Sequence, residues 1–143
     1  MVERAFARLG AALLPALEAR AGFVERFALL QAAFTRFLER EPAFAPLVIR
    51  EMLDGEGPGR ELILDGTVPL LRELERFVER EGKHAVRPGA PVREILLHVA
   101  SAALLRAAAG PLREPLWGKK DTLPEQARWL LLRDPSPVPQ EAP

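Results

Sequence analysis

Apolar residues recur along this chain at intervals of three and four almost from its first position, the period of a helix buried along one side. Val2, Phe6, Leu9, Leu13 and Leu17 mark the first such segment, residues 2–20. Pro15 lies inside it and removes a backbone donor, which predicts a kink near residues 11–15. Beyond Gly22, the residues Phe23, Phe27, Leu30, Phe34 and Phe37 form the seam of a second helix that runs to about Arg40. Pro42 ends that helix, and a third covers residues 43–54 with Phe44, Leu47, Val48 and Met52 inside. Gly55, Gly57 and Gly59 then read as a break. A Walker-type phosphate loop would need a Gly-Lys-Ser/Thr ending and a preceding strand, and neither occurs here. A long helix over residues 60–82 follows, with Leu62, Ile63, Val68, Leu70, Leu71, Leu74, Phe77 and Val78 inside and a middle weakened by Gly66 and Pro69. Its second half alternates Arg and Glu, which is a solvated face.

The stretch 91–109, PVREILLHVASAALLRAAA, breaks the amphipathic pattern. From Ile95 onward its only polar side chains are His98, Ser101 and Arg106, so as a helix it is apolar on almost every side and demands burial all round. A chain of 143 residues can cover one face of such a helix with its own elements, and a partner subunit is the usual cover for the other. Gly110-Pro111 closes the helix, and a short piece over 112–117 leads to a last helix, 123–133. Thr122 is its candidate cap, and it presents Leu123, Ala127, Leu130 and Leu131 with Trp129 beside them. Four prolines in the final ten residues predict an extended or disordered tail over 134–143, leaving 1–133 as one domain.

Composition agrees with an all-α fold: Leu, Ala, Glu and Arg dominate, β-branched residues are sparse and Tyr is absent. Twenty Lys and Arg balance twenty Asp and Glu, interspersed rather than blocked, so the basic stripe of a free-standing nucleic-acid binder is missing. Without Cys there is no disulfide or thiolate chemistry. Arg and Glu interrupt every apolar run that approaches membrane-spanning length, and the opening residues lack the pattern of a signal peptide, which together predict a cytoplasmic protein with no membrane association.

Candidate chemistry is sparse. His98 is either a hydrogen-bonded core or interface histidine, a ligand contact or, least in keeping with its surroundings, a metal ligand, because no His-Glu-x-x-His or similar spacing accompanies it. Ser101 shares a helix face with His98, yet it sits mid-helix with neither a nucleophile elbow nor an oxyanion hole, so no catalytic residue is assigned. Arg106, if it faces inward, needs a carboxylate, from an acidic ligand or from a Glu on another helix. The phenylalanine seam is either plain core or, in part, the lining of a cavity for an apolar compound. Ala100, Ala103 and Ala107 make a small-residue strip suited to close helix approach across a two-fold axis. Trp117 and Trp129 are candidate anchors, and Trp117 could equally cap a pocket.

Several runs together resemble the regulatory domain of the TetR family of bacterial transcriptional repressors. They are Phe37-Leu38-Glu39-Arg40-Glu41-Pro42, the Arg50-Glu51 helix, the Gly57-Pro58-Gly59 break, the long helix after it and the Arg87-Pro88-Gly89-Ala90-Pro91 turn before the apolar helix with Leu97-His98. The resemblance covers essentially residues 1–133, with 91–109 and 123–133 similar to the family's two dimerisation helices. It implies a helical bundle that homodimerises through a four-helix bundle, two helices from each subunit, and that holds a small apolar effector in a cavity among the central helices. Pocket candidates are then Phe34, Phe37, Met52, Phe77, His98, Ser101 and Leu105. Interface candidates are Leu96, Val99, Ala100, Ala103, Ala107, Trp129 and Leu130. In the family, ligand shifts the first helix of this region and so the spacing of the DNA-reading heads; here that helix is 2–20, with Pro15 as hinge. Members of the family also carry a helix-turn-helix head of about fifty residues and commonly a Tyr-x-x-Phe pair after it. This sequence shows neither, so the expectation is no direct DNA binding by the chain as written, and no metal or cofactor. The alternative reading is a helical adaptor or structural dimer without a small-molecule ligand, in which the phenylalanine seam is only core.

Overall fold

The computed structural model describes residues 2–135, and over them the chain is all-α, with seven helices and no strand. Of the predicted tail, residues 136–143 lie outside the described residues. α1 (Val2–Glu18) continues through Pro15, which sits on its exposed side, while Ala5, Leu9, Leu13 and Ala16 are buried. α2 (Phe23–Arg40) has the predicted boundaries, and Phe23, Phe27, Leu30 and Phe37 of its seam are buried. α3 (Phe44–Asp54) ends at Gly55, whose φ of 63° is left-handed backbone that favours glycine. Gly57, also at positive φ, precedes α4 (Pro58–Glu81), which runs unbroken past Gly66 and Pro69. α5 (Val92–Ala108), a 3-10 turn (Gly110–Leu112), α6 (Arg113–Trp117) and α7 (Leu123–Leu131) complete the order.

α1 packs on α2 and α4, whereas α5 lies against α2, α3, α4, α6 and α7. The apolar helix is therefore the element on which the second half of the bundle is assembled. Two aromatic groups knit the first half. Phe44 receives the rings of Phe6 and Phe37 edge-on at 5.3 and 5.0 Å, and Phe23 packs on Phe27 and Phe77 at 6.0 and 5.2 Å. Arg26 covers the second group, its guanidinium 4.7 Å from the centre of the Phe77 ring while it donates to the Leu17 carbonyl and pairs with Glu81. Arg8 grips Glu41 with two hydrogen bonds of 2.6 and 3.0 Å, tying α1 to the end of α2. Those bonds raise the Arg8 pKa above its ordinary value against some desolvation.

Residues 85–87, in the turn after α4, are stitched to the end of α7. The Arg87 amide donates to the Leu131 carbonyl and the Arg133 amide to the Ala85 carbonyl, each at 2.8 Å, around a lone antiparallel bridge between Val86 and Leu132. Leu131 and Leu132 are almost wholly enclosed there. This clamp fixes the C-terminal end of α7 near the start of α5.

Gly66 has a packing role. A Cβ at that position would lie 2.5 Å from two atoms of the Phe6 ring, so the bare backbone lets α1 approach α4. Gly10, inside α1, faces open space. Gly66→Val is accordingly expected to destabilise by about 2 kcal/mol, overpacking outweighing the better helix propensity, while Gly10→Ala stabilises by about 0.5–1 kcal/mol. Urea midpoints of the two variants, moving in opposite directions from the unaltered chain, check both.

Candidate functional site

Arg106 is the one charged residue of the buried set, 9% exposed on the inner side of α5 among Ile95 and Ala103. Its Nη1 is buried without a hydrogen-bond partner. Its guanidinium rests 5.8 Å from the centre of the Trp117 ring on α6, and among the described residues no carboxylate lies within ion-pair distance of it. A guanidinium taken out of water with only an aromatic ring for company is costly, and such a group ordinarily carries its counter-charge with it.

The group does not face solid core. A cleft of about 190 Å³ opens beside it, between the C-terminal half of α2, the inner side of α5 and the start of α7. Leu38, Pro42, Ala103, Ala107 and Leu123 supply apolar wall, and Thr35, Glu39, Arg113 and Asp121 supply polar groups. Glu39 and Asp121 are exposed, at the mouth, while Arg106 is buried. Asp121 is also occupied, since its Oδ1 accepts the Leu123 amide at 3.0 Å and so caps α7. Thr122 stands at the N-cap position as expected, but its hydroxyl makes no capping bond and accepts the Gln126 side-chain amide at 3.0 Å instead. The electrostatic arrangement is a buried cation in the wall with exposed carboxylates beside it. A cation without a counter-charge and a cleft coincide at this place.

The seven pocket candidates do not converge here or elsewhere. Phe37 and Phe77 are buried in the two separate ring groups, and Phe34 is half-buried against the core. Met52 is 57% exposed, because the inner side of α3 is completed by Phe44, Ala45 and Val48 and its last turn carries Met52 outward. His98, Ser101 and Leu105 lie on the outer face of α5, all exposed. The interface candidates on α5 point the other way. Ala103 is buried, Leu96, Val99 and Ala107 pack against the chain's own core, and Ala100 is half-buried. The two faces assigned to α5 from sequence are thus exchanged, since a helix apolar all round has no polar side from which to judge orientation. Trp129 and Leu130 on α7 are exposed, at 66% and 41%.

The cleft residues Thr35, Leu38, Arg113, Asp121 and Leu123 carry no motif. Arg106 was the signal, a lone cation in an apolar run whose orientation the sequence left open. A second depression, about 270 Å³ between α1 and α4, is lined by Glu3, Phe6, Ala7, Leu62, Asp65 and Gly66 and holds no unpaired buried group. Among the described residues no three His, Asp or Glu gather as a metal site would need. Among the described residues no single helix is long and apolar enough to cross a membrane. Comparison with protein-family models, curated proteins and solved structures finds no match to this chain.

Proposed function

We propose that this chain is a homodimerising, effector-sensing regulatory domain of the TetR type. The observation that carries the reading is the outer face of α5. Leu97, Ser101 and Leu105 recur every four residues opposite Ile95 and Ala103, and the two leucines are 39% and 52% exposed. Trp129 and Leu130 stand open on α7, which packs on α5, so two neighbouring helices leave apolar surface uncovered. A second copy is the cover that fits. The five residues carry no charge, so the patch can meet its own image across a two-fold axis without like-charge repulsion, and the two helices of each subunit then make a four-helix bundle.

The Arg106 cleft supports the sensing half of the proposal. Ala103, Arg106 and Ala107 line it from the inner side of the same helix whose outer side would meet the partner. A ligand drawn into the cleft would bear on α2, α5 and α7 at once, and two of those three are the dimer helices. Any difference in ligand affinity between two settings of α5 then shifts the geometry of the dimer. A cytoplasmic repressor would use such a shift to release or engage DNA through its reading heads.

One observation favours the adaptor reading: the phenylalanine seam packs ring on ring, and none of its residues lines either depression. Sedimentation equilibrium of the full chain from about 1 to 100 μM separates the readings from failure of both. A dimer is expected throughout, a folded monomer at all concentrations would overturn the shared core of both, and a dimer indifferent to every small molecule would leave the adaptor.

A further inference from the structure

We propose that the Arg106 cleft is a binding site for a small organic monocarboxylate, with the carboxylate on the Arg106 guanidinium and a compact apolar body against Leu38, Ala107 and Leu123. The inference deepens the sensing half of the reading above and rests on it. Three observations select the class of ligand. No carboxylate lies within ion-pair reach of Arg106, which leaves a cation that an anion would complete; Nη1 is enclosed, so a planar carboxylate would meet the Nε and Nη2 edge of the guanidinium with two parallel hydrogen bonds. The walls nearest α5 and α7 are apolar, which suits a hydrocarbon body and leaves a bare inorganic anion without contacts. The size is small. At about 190 Å³ the cleft is slightly larger than a cavity of about 150 Å³ that admits benzene, so an aromatic acid of one ring or a short branched acid fills it.

The exposed carboxylates of Glu39 and Asp121 sharpen the choice further. Both repel an entering anion, and a dianion is repelled twice as strongly as a monocarboxylate, whose single charge is met by Arg106. Arg113, half-buried in the same lining, is a second cation, so that Arg106 and Arg113 together balance Glu39 and Asp121. Trp117, its ring centre 5.8 Å from the guanidinium, is close enough to report on an acid bound there.

The test is titration of the full chain with benzoate and with isovalerate, read by the Nε–Hε resonance of Arg106 in nitrogen-labelled protein and by Trp117 fluorescence in a Trp129→Phe background. Benzamide serves as the neutral twin and inorganic phosphate as the other anion. At least one acid is expected to give a saturable shift, at least tenfold tighter than benzamide or phosphate. Arg106→Gln is expected to weaken that acid at least tenfold, and Ala107→Leu, which fills the cleft from α5, to abolish it. No shift with either acid, benzamide binding as well as benzoate, or phosphate binding as tightly would overturn the proposal. The acid, amide and phosphate comparison needs no variant at Arg106, so it decides even if Arg106→Gln does not fold. Sedimentation of the same samples reports the dimer independently: loss of acid binding with the dimer intact defeats this inference alone.

Discussion

Replacement of Phe37 by alanine is expected to lower the unfolding free energy by about 3–5 kcal/mol, the range for deleting a buried aromatic side chain and leaving its cavity. Phe37 is 5% exposed, and its ring meets Phe44 edge-on at 5.0 Å, with Phe6 on the other side of Phe44 at 5.3 Å. The hole would open between α2 and α3 at a ring contact that α1 also joins, where three backbones must move together to close it. Against a total stability of about 5–15 kcal/mol for a domain of this kind, such a loss takes the variant close to its threshold at 37 °C. Met52→Ala is the contrasting case, since Met52 is 57% exposed and its truncation is expected within about 0.5 kcal/mol of the unaltered chain. Guanidinium unfolding followed by circular dichroism gives both values. A cost near 1 kcal/mol for Phe37→Ala would mean that its ring borders open space, and would restore it as a pocket residue.

The contrast between those two residues shows what periodicity can reveal. The seam Phe23, Phe27, Leu30, Phe34 and Phe37 announces a helix and its inner side together, because the large aromatic side chains keep to one stripe and Glu25, Arg26, Gln31, Thr35 and Arg36 fall outside it, and α2 has the expected bounds. Met52 satisfies the same spacing rule on α3 but lies a turn beyond the last buried position, a matter of how far the neighbours reach rather than of its own helix. On α5 the rule has nothing to act on. Its apolar residues are spread nearly evenly around the axis, so the burial demand was legible while the side that meets the core was not, and His98, Ser101 and Leu105 changed places with Val99, Ala103 and Ala107. The cleft was invisible for a related reason. Its walls come from α2, α5, α6 and α7, whose mutual placement depends on the 85–87 to 131–133 clamp, a pairing of backbone groups that no side-chain pattern records. Only the need of Arg106 for a counter-charge could be read in advance.

Charge placed on the outer face of α5 is expected to separate the proposed dimer without unfolding the subunit. Leu105 and Trp129 are 52% and 66% exposed in the single subunit, so Leu105→Glu and Trp129→Ala remove little from its own core. At an isologous interface each substitution acts twice, and truncation of a central tryptophan or leucine anchor typically costs about 2–4 kcal/mol, which is roughly a thirtyfold to thousandfold loss of affinity. Leu105→Glu adds repulsion, since the new carboxylate approaches its own copy near the axis with no cation of the patch to receive it. The double variant is therefore expected to sediment as a monomer at 10 μM while keeping its helical circular dichroism. Val99→Glu supplies the reciprocal case: Val99 packs against the core, so the same charge on the opposite side of the same helix is expected to unfold the chain rather than divide it. If Val99→Glu gave a folded monomer and Leu105→Glu a folded dimer, the orientation of α5 drawn here would be reversed and the Arg106 cleft would face the partner instead of the core.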